Sequence, residues 1–260
     1  MDFKNLQIEH NAGLTTVRVN RPQALNALNP EVLLELGTFA HEINKNPEIK
    51  AVILTGAGEK SFVAGADIAA MKDMTALQAK EFCDLGHRVM KLIESAHKPV
   101  IAAVNGFCLG GGLELALSCD FIYASENAKL GLPEVNLGIF PGFGGTQRLS
   151  RLIGKNKAKE LIFTAKMLSA AEGKEWGILN KVTSSADLLK EVEATAREIM
   201  KKGPIAVQLA KQAVNQGTDL DINSGLAIEK ALFPTVFSTD DKLEGVTAFL
   251  EKRKAEFKGK

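Results

Sequence analysis

Val100-Ile101-Ala102-Ala103-Val104-Asn105-Gly106-Phe107-Cys108-Leu109-Gly110-Gly111-Gly112-Leu113-Glu114 is the stretch from which the fold is read. The apolar run Val100 to Val104 has the character of a buried strand, and Leu113 to Leu117 is compatible with a helix, so three glycines fall where strand becomes helix. A helix start carries unpaired N–H groups and the positive end of the helix dipole. Glycine lets a substrate oxygen approach those groups with no Cβ in the way. Glu114 follows within the first helical turn. Two readings stand side by side: an anion-accepting turn with an acid beside it, or close backbone packing with a solvated helix-start glutamate.

Working outward, the flanking patterns alternate between strand and helix. Leu6, Ile8, Val17 and Val19 alternate around Asn11-Ala12-Gly13, which predicts a β-hairpin. Asn29-Pro30 makes a cap and first-turn pair, with Val32, Leu33, Leu36, Phe39, Ala40 and Ile43 on one helical face and Pro47 as the stop. Ala51 to Leu54 reads as a strand covered on both faces. A helix fits Thr75 to Ile93, with Phe82, Leu85, Val89, Leu92 and Ile93 inward, and Phe121 to Ala124 makes another short strand. This order predicts an α/β core. Ser169 and Glu172 have capping-box spacing. Helical patterns then recur at Leu188–Met200, Pro204–Val214, Leu226–Leu232 and Leu243–Phe257, with no strand past Asn180-Lys181-Val182. The basic cluster Lys252 to Lys260, interleaved with Glu256, reads as a solvated helix end.

The chain of 260 residues is long enough for one large domain or a main domain with an appendage. Its 32 basic residues nearly balance its 31 acidic ones, so no general attraction to nucleic acid or to an anionic membrane is expected. Cys83, Cys108 and Cys119 are odd in number and show no close metal-ligand pairing, which fits a reduced cytoplasmic compartment. The N-terminus has neither a signal core nor a transit composition, and no apolar run reaches the roughly 18 residues of a membrane span.

Few constellations compete for chemistry. His10, His41, His87 and His97 are scattered, without a nucleophile or second ligand beside them, and read as structural or solvated. Ser61 and Ser118 lack the turn of a nucleophile elbow. Cys108 is either a nucleophile or a small buried hydrophobe, and no partner base is evident for it. The small-residue loop Gly56 to Ile68 lacks the third glycine of a dinucleotide fingerprint and the Gly-Lys-Ser/Thr ending of a P-loop; bare amides at Ala64 to Ile68 remain open. Of the 23 glycines, nine lie between Asn105 and Gly145, so the backbone is being shaped there. Pro133-Glu134 sits in that segment, either as a directed acid or as an ordinary loop glutamate. What remains is a carboxylate pair, Glu114 and Glu134, able to share proton transfer and water activation.

Several motifs together carry a family resemblance: Ala64-Gly65-Ala66-Asp67-Ile68; Asn105-Gly106 to Glu114; Pro133-Glu134 with Gly138, Pro141 and Gly144-Gly145-Thr146-Gln147-Arg148-Leu149. To these are added Ala171-Glu172 with Trp176 to Asn180, and the ending Asp241 to Phe257. In this order and over essentially the whole chain, the sequence is similar to the crotonase, or enoyl-CoA hydratase, family. The resemblance implies an α/β fold with a spiral core of repeated ββα units over residues 1–198. It also implies a helical C-terminal region over residues 199–260 used in trimerisation, hence a homo-trimer or a homo-hexamer of two trimers. An acyl-CoA thioester is the implied partner, its carbonyl held by the backbone N–H groups of Ala66 and Gly111, each contributing about 3 kcal/mol to the transition state. Ala64 resembles the position that contacts the adenine, and Asp67 and Ile68 complete that substrate-binding loop. The Gly142 amide matches a position that helps hold the catalytic water.

The presence of both glutamates implies hydration of a trans-2-enoyl-CoA to the 3-hydroxyacyl-CoA. Glu114 mainly activates water, Glu134 mainly exchanges the C2 proton, and no metal or redox cofactor is required. Other crotonase-type chemistry, such as 3-hydroxybutyryl-CoA dehydration or enoyl-CoA isomerisation, is the nearest alternative. A non-catalytic RNA-binding or scaffold role is a further one. Two positions depart from similar hydratases: Leu132 where Gln is frequent, and Ala69 where Lys is frequent.

Overall fold

The computed structural model describes residues 3–260. The N-terminal alternation forms the expected hairpin: β1 (Leu6–Asn11) pairs antiparallel with β2 (Leu14–Val19) around a turn in which Ala12 and Gly13 both have positive φ. Helix α1 (Pro30–Lys45) starts where the sequence predicts, with the Asn29 side chain accepting the Val32 N–H at 2.9 Å, a cap of about 1 kcal/mol. Its predicted apolar face is buried throughout.

Three successive units then follow one plan, a longer strand for one sheet and a three-residue strand for a second. In the first, β3 (Ala51–Gly56) precedes β4 (Ser61–Val63), with α2 (Ile68–Met71) and α3 (Ala76–Glu94) behind them. In the second, β5 (Val100–Val104) precedes β6 (Phe107–Leu109) and α4 (Gly111–Leu117). In the third, β7 (Phe121–Ser125) precedes β8 (Lys129–Gly131), a 3-10 turn at Pro133–Leu137, α5 (Gly145–Ile153) and α6 (Lys155–Thr164). Then β9 (Leu168–Ser169) and β10 (Lys181–Thr183), separated by α7 (Ala170–Glu175), complete two sheets of order β1-β2-β3-β5-β7-β10 and β4-β6-β8-β9. All pairings are parallel except β1·β2 and β8·β9. This is the spiral of repeated ββα units that the resemblance implied.

The short strands β4, β6 and β8 are what the hydrophobic patterns did not reveal. Three residues are too few to display a period of two, and β6 lies inside the stretch read as one glycine-rich turn. The step between sheets is built by Asn105. Its Oδ1 accepts the Gly56 N–H at 3.2 Å, and its Nδ2 donates to the carbonyls of Gly56 and Gly58 at 3.0 and 2.7 Å. The chain can therefore leave β5 sideways with the freed backbone groups satisfied. The first sheet is covered on both faces. Alternate residues Ala51, Ile53, Ile101 and Ala103 face Leu188, Val192 and Ala196 of α8 (Leu188–Met200), while Val52, Leu54, Val100 and Ala102 face the main core.

The C-terminal helices differ from the expected pattern at their ends. Helix α9 (Pro204–Gly217) continues through Asn215-Gln216-Gly217, and α10 (Ile222–Phe237) is longer at both ends than Leu226–Leu232. Its true start is set by Asp221, whose side chain accepts the N–H groups of Asn223 and Ser224. Helix α11 (Asp240–Leu250) stops short of the expected Phe257. Lys252 takes a positive φ of 56°, and the following segment folds back so that buried Asp241 accepts the N–H groups of Lys258 and Gly259 at 2.6 and 2.8 Å. The basic C-terminal cluster is thus a latched tail rather than a helix end. No helix among the described residues is long and apolar enough to cross a membrane.

Candidate active site

Two backbone turns meet at the ends of β4 and β6. Along Ala64 to Ile68 most amides are engaged: the Ala64 N–H donates to Leu25 O at 3.0 Å and the Asp67 N–H to Leu28 O at 2.8 Å. The Ala66 N–H donates to no protein acceptor among the described residues. The Gly111 N–H is in the same condition, because it opens α4 and lies ahead of the first helical acceptor. Gly110 precedes it with φ +49°, a left-handed backbone that favours glycine, and a Cβ there would lie 2.9 Å from Glu134 Oε1. Gly112 lets α4 approach β4 closely, since a Cβ there would lie 2.0 Å from Val63 O. The glycines therefore serve both readings left open by the sequence: close packing and an exposed amide.

Glu114 is buried, not solvated. Its Oε1 accepts N–H groups from Phe143 and Gly145, each at 2.7 Å. Burial pushes its carboxyl above the ordinary value, while those N–H donors and the Arg148 charge oppose the rise. Glu134, in the Pro133–Leu137 turn, is half-buried and its Oε2 is a buried oxygen without a hydrogen-bond partner. Its carboxyl is pushed up to about 7, first by burial, with the Glu114 charge adding and its own backbone N–H opposing. One carboxyl is thus anchored by two N–H donors that oppose the rise, and the other is poised to carry a proton near neutrality.

Both line a cavity of about 600 Å³ whose walls are largely apolar, among them Met71, Phe82, Leu137 and Phe143. Ala64, Ala66, Ile68, Gly111 and Gly142 also line it, so these predicted residues are brought together with the two glutamates. Asp67 is placed differently. It stands outside the lining, ion-paired to Arg21 at 3.1 Å, while the Arg21 Nη1 donates to Ala27 O at 2.7 Å. Its position ties the Ala66 turn to the Arg21–Leu28 segment. Leu132 is fully buried, and a Cβ at Gly145 would touch both it and Glu114. The departure from Gln thus adds apolar surroundings to the carboxylate. Ala69 is exposed one residue past Ile68.

The chain matches the Enoyl-CoA hydratase/isomerase family model over residues 9–260. The chain belongs to the enoyl-CoA hydratase/isomerase family. Among its relatives, a crotonyl-CoA hydratase of Syntrophomonas wolfei subsp. wolfei is 51% identical over 257 residues, covering 99% of each chain. A short-chain-enoyl-CoA hydratase of Clostridium acetobutylicum is 51% identical over 256 residues, covering 98% of each. In structure, an enoyl-CoA hydratase from Bacillus anthracis superposes with a TM-score of 0.96 at 43% identity, covering 99% of this chain and 100% of that one.

In this member of the enoyl-CoA hydratase/isomerase family the groups that sequence reasoning missed are those that hold Glu114. The Phe143 and Gly145 amides do so, and Gly142 lines the cavity beside them. Arg148 supports the same turn, its Nη1 donating to Phe143 O at 3.2 Å and its Nε and Nη2 pairing with Glu94. Backbone donors leave no residue-type signal. The density of glycine around Gly144-Gly145 and the family motif through Leu149 marked the segment in advance, without singling out the Phe143 and Gly145 donors.

Proposed function

We propose that this chain catalyses the reversible addition of water across the 2,3 double bond of a trans-2-enoyl-CoA, giving the 3-hydroxyacyl-CoA. The observation that carries the reading is the unequal carboxylate pair in one apolar cavity: Glu114 with two N–H donors on one oxygen, Glu134 with a buried oxygen lacking a partner. In the proposed reaction the thioester oxygen accepts the Ala66 and Gly111 N–H groups, which draws electron density from C3. Glu114 takes a proton from water as the C3–O bond forms. The π electrons move onto the thioester as an enolate, held by the same two donors. Glu134 then delivers its proton to C2. The pair has exchanged roles and is restored by proton transfer between them or through solvent. Water adds without any net change of electron count, so the reaction needs no redox group, and the CoA is part of the substrate.

The relatives named for crotonyl-CoA and short-chain enoyl-CoA support a short acyl chain. The test is the loss of the conjugated enoyl absorbance on adding the protein to crotonyl-CoA, followed across longer acyl chains. Absence of turnover at every length, or double-bond migration of 3-enoyl-CoA without hydration, overturns the reading.

The same reading includes self-association. Helices α10 and α11 leave Ile222, Phe233, Phe237, Leu243 and Phe249 exposed, with Phe249 at 81%. A monomer rarely leaves so many large apolar side chains of two successive helices in water. We infer that residues 199–260 pack against further copies of this chain as a trimer or a hexamer of two trimers, in a cytoplasmic protein.

A further inference from the structure

The turn that grips Glu114 is itself held by a group of the cavity wall that has no part in the proposed chemistry. Cys83, on α3, has its thiol 2.9 Å from Gly142 O. Gly142 O and the Phe143 N–H are the two ends of one peptide unit, and the unit is planar and rigid, so a donor at the oxygen sets the direction of the N–H. That N–H ends on Glu114 Oε1 at 2.7 Å. We propose that Cys83 is a positioning residue for Glu114, acting through the Gly142–Phe143 peptide as a thiol-to-amide-to-carboxylate relay of hydrogen bonds.

The surroundings of this peptide make the two hydrogen bonds decisive. A Cβ built at Gly142 meets nothing within 4 Å, so side-chain packing there does not oppose rotation of the plate. On its other side everything is fixed: Phe143 O is held by Arg148 at 3.2 Å, and the Phe143 ring meets Phe82 edge-on at 5.1 Å. A flipped peptide would turn the Gly142 carbonyl toward the Glu114 carboxylate, replacing a donor by a like partial charge. Chained hydrogen bonds also polarise one another, by roughly 10–30% per bond, so the thiol strengthens the N–H that stabilises the Glu114 anion. The thiol stays protonated for this purpose, because burial and the charges of Asp84 and Glu114 hold it above its usual range. The charged groups coupled to Glu114 are Arg148 from α5 and Glu134 from the facing turn.

The inference rests on Glu114 being the water-activating base, and its test has one arm that needs no turnover. Cys83→Ala removes the donor, and Cys83→Ser keeps a donor of similar size. In protein carrying carboxyl-labelled glutamate, the Glu114 resonance, assigned by its loss in Glu114→Gln, reports its titration by NMR. Cys83→Ala is expected to move that titration up by about half a pH unit, since a weaker donor stabilises the anion less. On crotonyl-CoA it is expected to lower kcat by about 3- to 10-fold with KM within about twofold, and Cys83→Ser to recover most of both effects. An unmoved Glu114 titration in Cys83→Ala overturns the proposal. So does a Cys83→Ser variant as impaired as Cys83→Ala, which would assign the effect to packing. A shifted titration in a protein that turns over no enoyl-CoA supports the relay and refutes the hydratase reading alone.

Discussion

Glu114 and Glu134 differ in what holds their oxygens, and that difference determines where one shared proton resides. Hydration starts with the proton on Glu134 and dehydration with it on Glu114. Both directions need the pair to hold one proton, and water addition has a pH-independent equilibrium. The kcat/KM profile is therefore expected to have the same shape in both directions, falling on the alkaline side with the Glu134 value of about 7. A profile still flat well above neutrality contradicts the assignment of Glu134 as acid. Replacing either residue, as Glu114→Gln or Glu134→Gln, is expected to lower kcat by about 10²- to 10⁴-fold with substrate affinity largely kept, measured by steady-state kinetics beside direct CoA-ester binding. The cost of poising Glu134 is also visible in stability. Between its ordinary 4.5 and about 7 the folded state keeps a proton that the unfolded chain has released, so stability falls as pH rises through that window. Glu134→Gln removes the penalty, and chemical denaturation should find it roughly 1–2 kcal/mol more stable than wild type at pH 8, with the gain vanishing toward pH 4.5. Both glutamates were identifiable from sequence because each sits in backbone-shaping residues. Their protonation was not, because burial and backbone donors decide it.

At the scale of elements, α3 matters to the site as much as α4 does. It contributes Cys83 and also Gly86, where a Cβ would lie 2.1 Å from the Phe143 ring. Gly86→Ala is expected to displace Phe143, loosen its N–H from Glu114, lower kcat more than it raises KM, and cost about 1–3 kcal/mol of stability. Kinetics and denaturation on the same variant check this, and unchanged kcat would show that the turn does not depend on α3. The helical period of Thr75 to Ile93 identified the element, whereas the capping box that starts it, in which Thr75 and Gln78 exchange hydrogen bonds, emerges only in the structure. Nothing in that period singled out Gly86, whose importance comes from a ring on a segment 57 positions away. The strand β6 was equally hidden, since its register is set by β4 and β8 on either side and not by its own three residues.

Across the whole molecule, the helical C-terminal region is attached to the core by polar contacts and left apolar outside. Lys211 of α9 pairs with Asp120 at 3.0 Å and donates to Lys98 O, while Asn215 donates to Glu94 O. The outer faces of α10 and α11 remain for another subunit in the proposed assembly. Phe249→Asp is expected to lower the mass seen by light scattering toward that of one chain, and an unchanged mass would place Phe249 outside the interface. The amino-acid sequence by itself determined the longer strands and the main helical stretches, the caps at Asn29 and Ser169, the glycine-rich turns and the identity of the acids, because these depend on local periodicity and backbone preference. Only the tertiary structure decided which amides stay unpaired, which carboxylate is anchored and which lacks a partner, and that the Asp67 side chain turns to Arg21. Those outcomes depend on groups brought together from distant parts of the chain, where burial removes water and leaves each polar atom with the partners that the packing supplies.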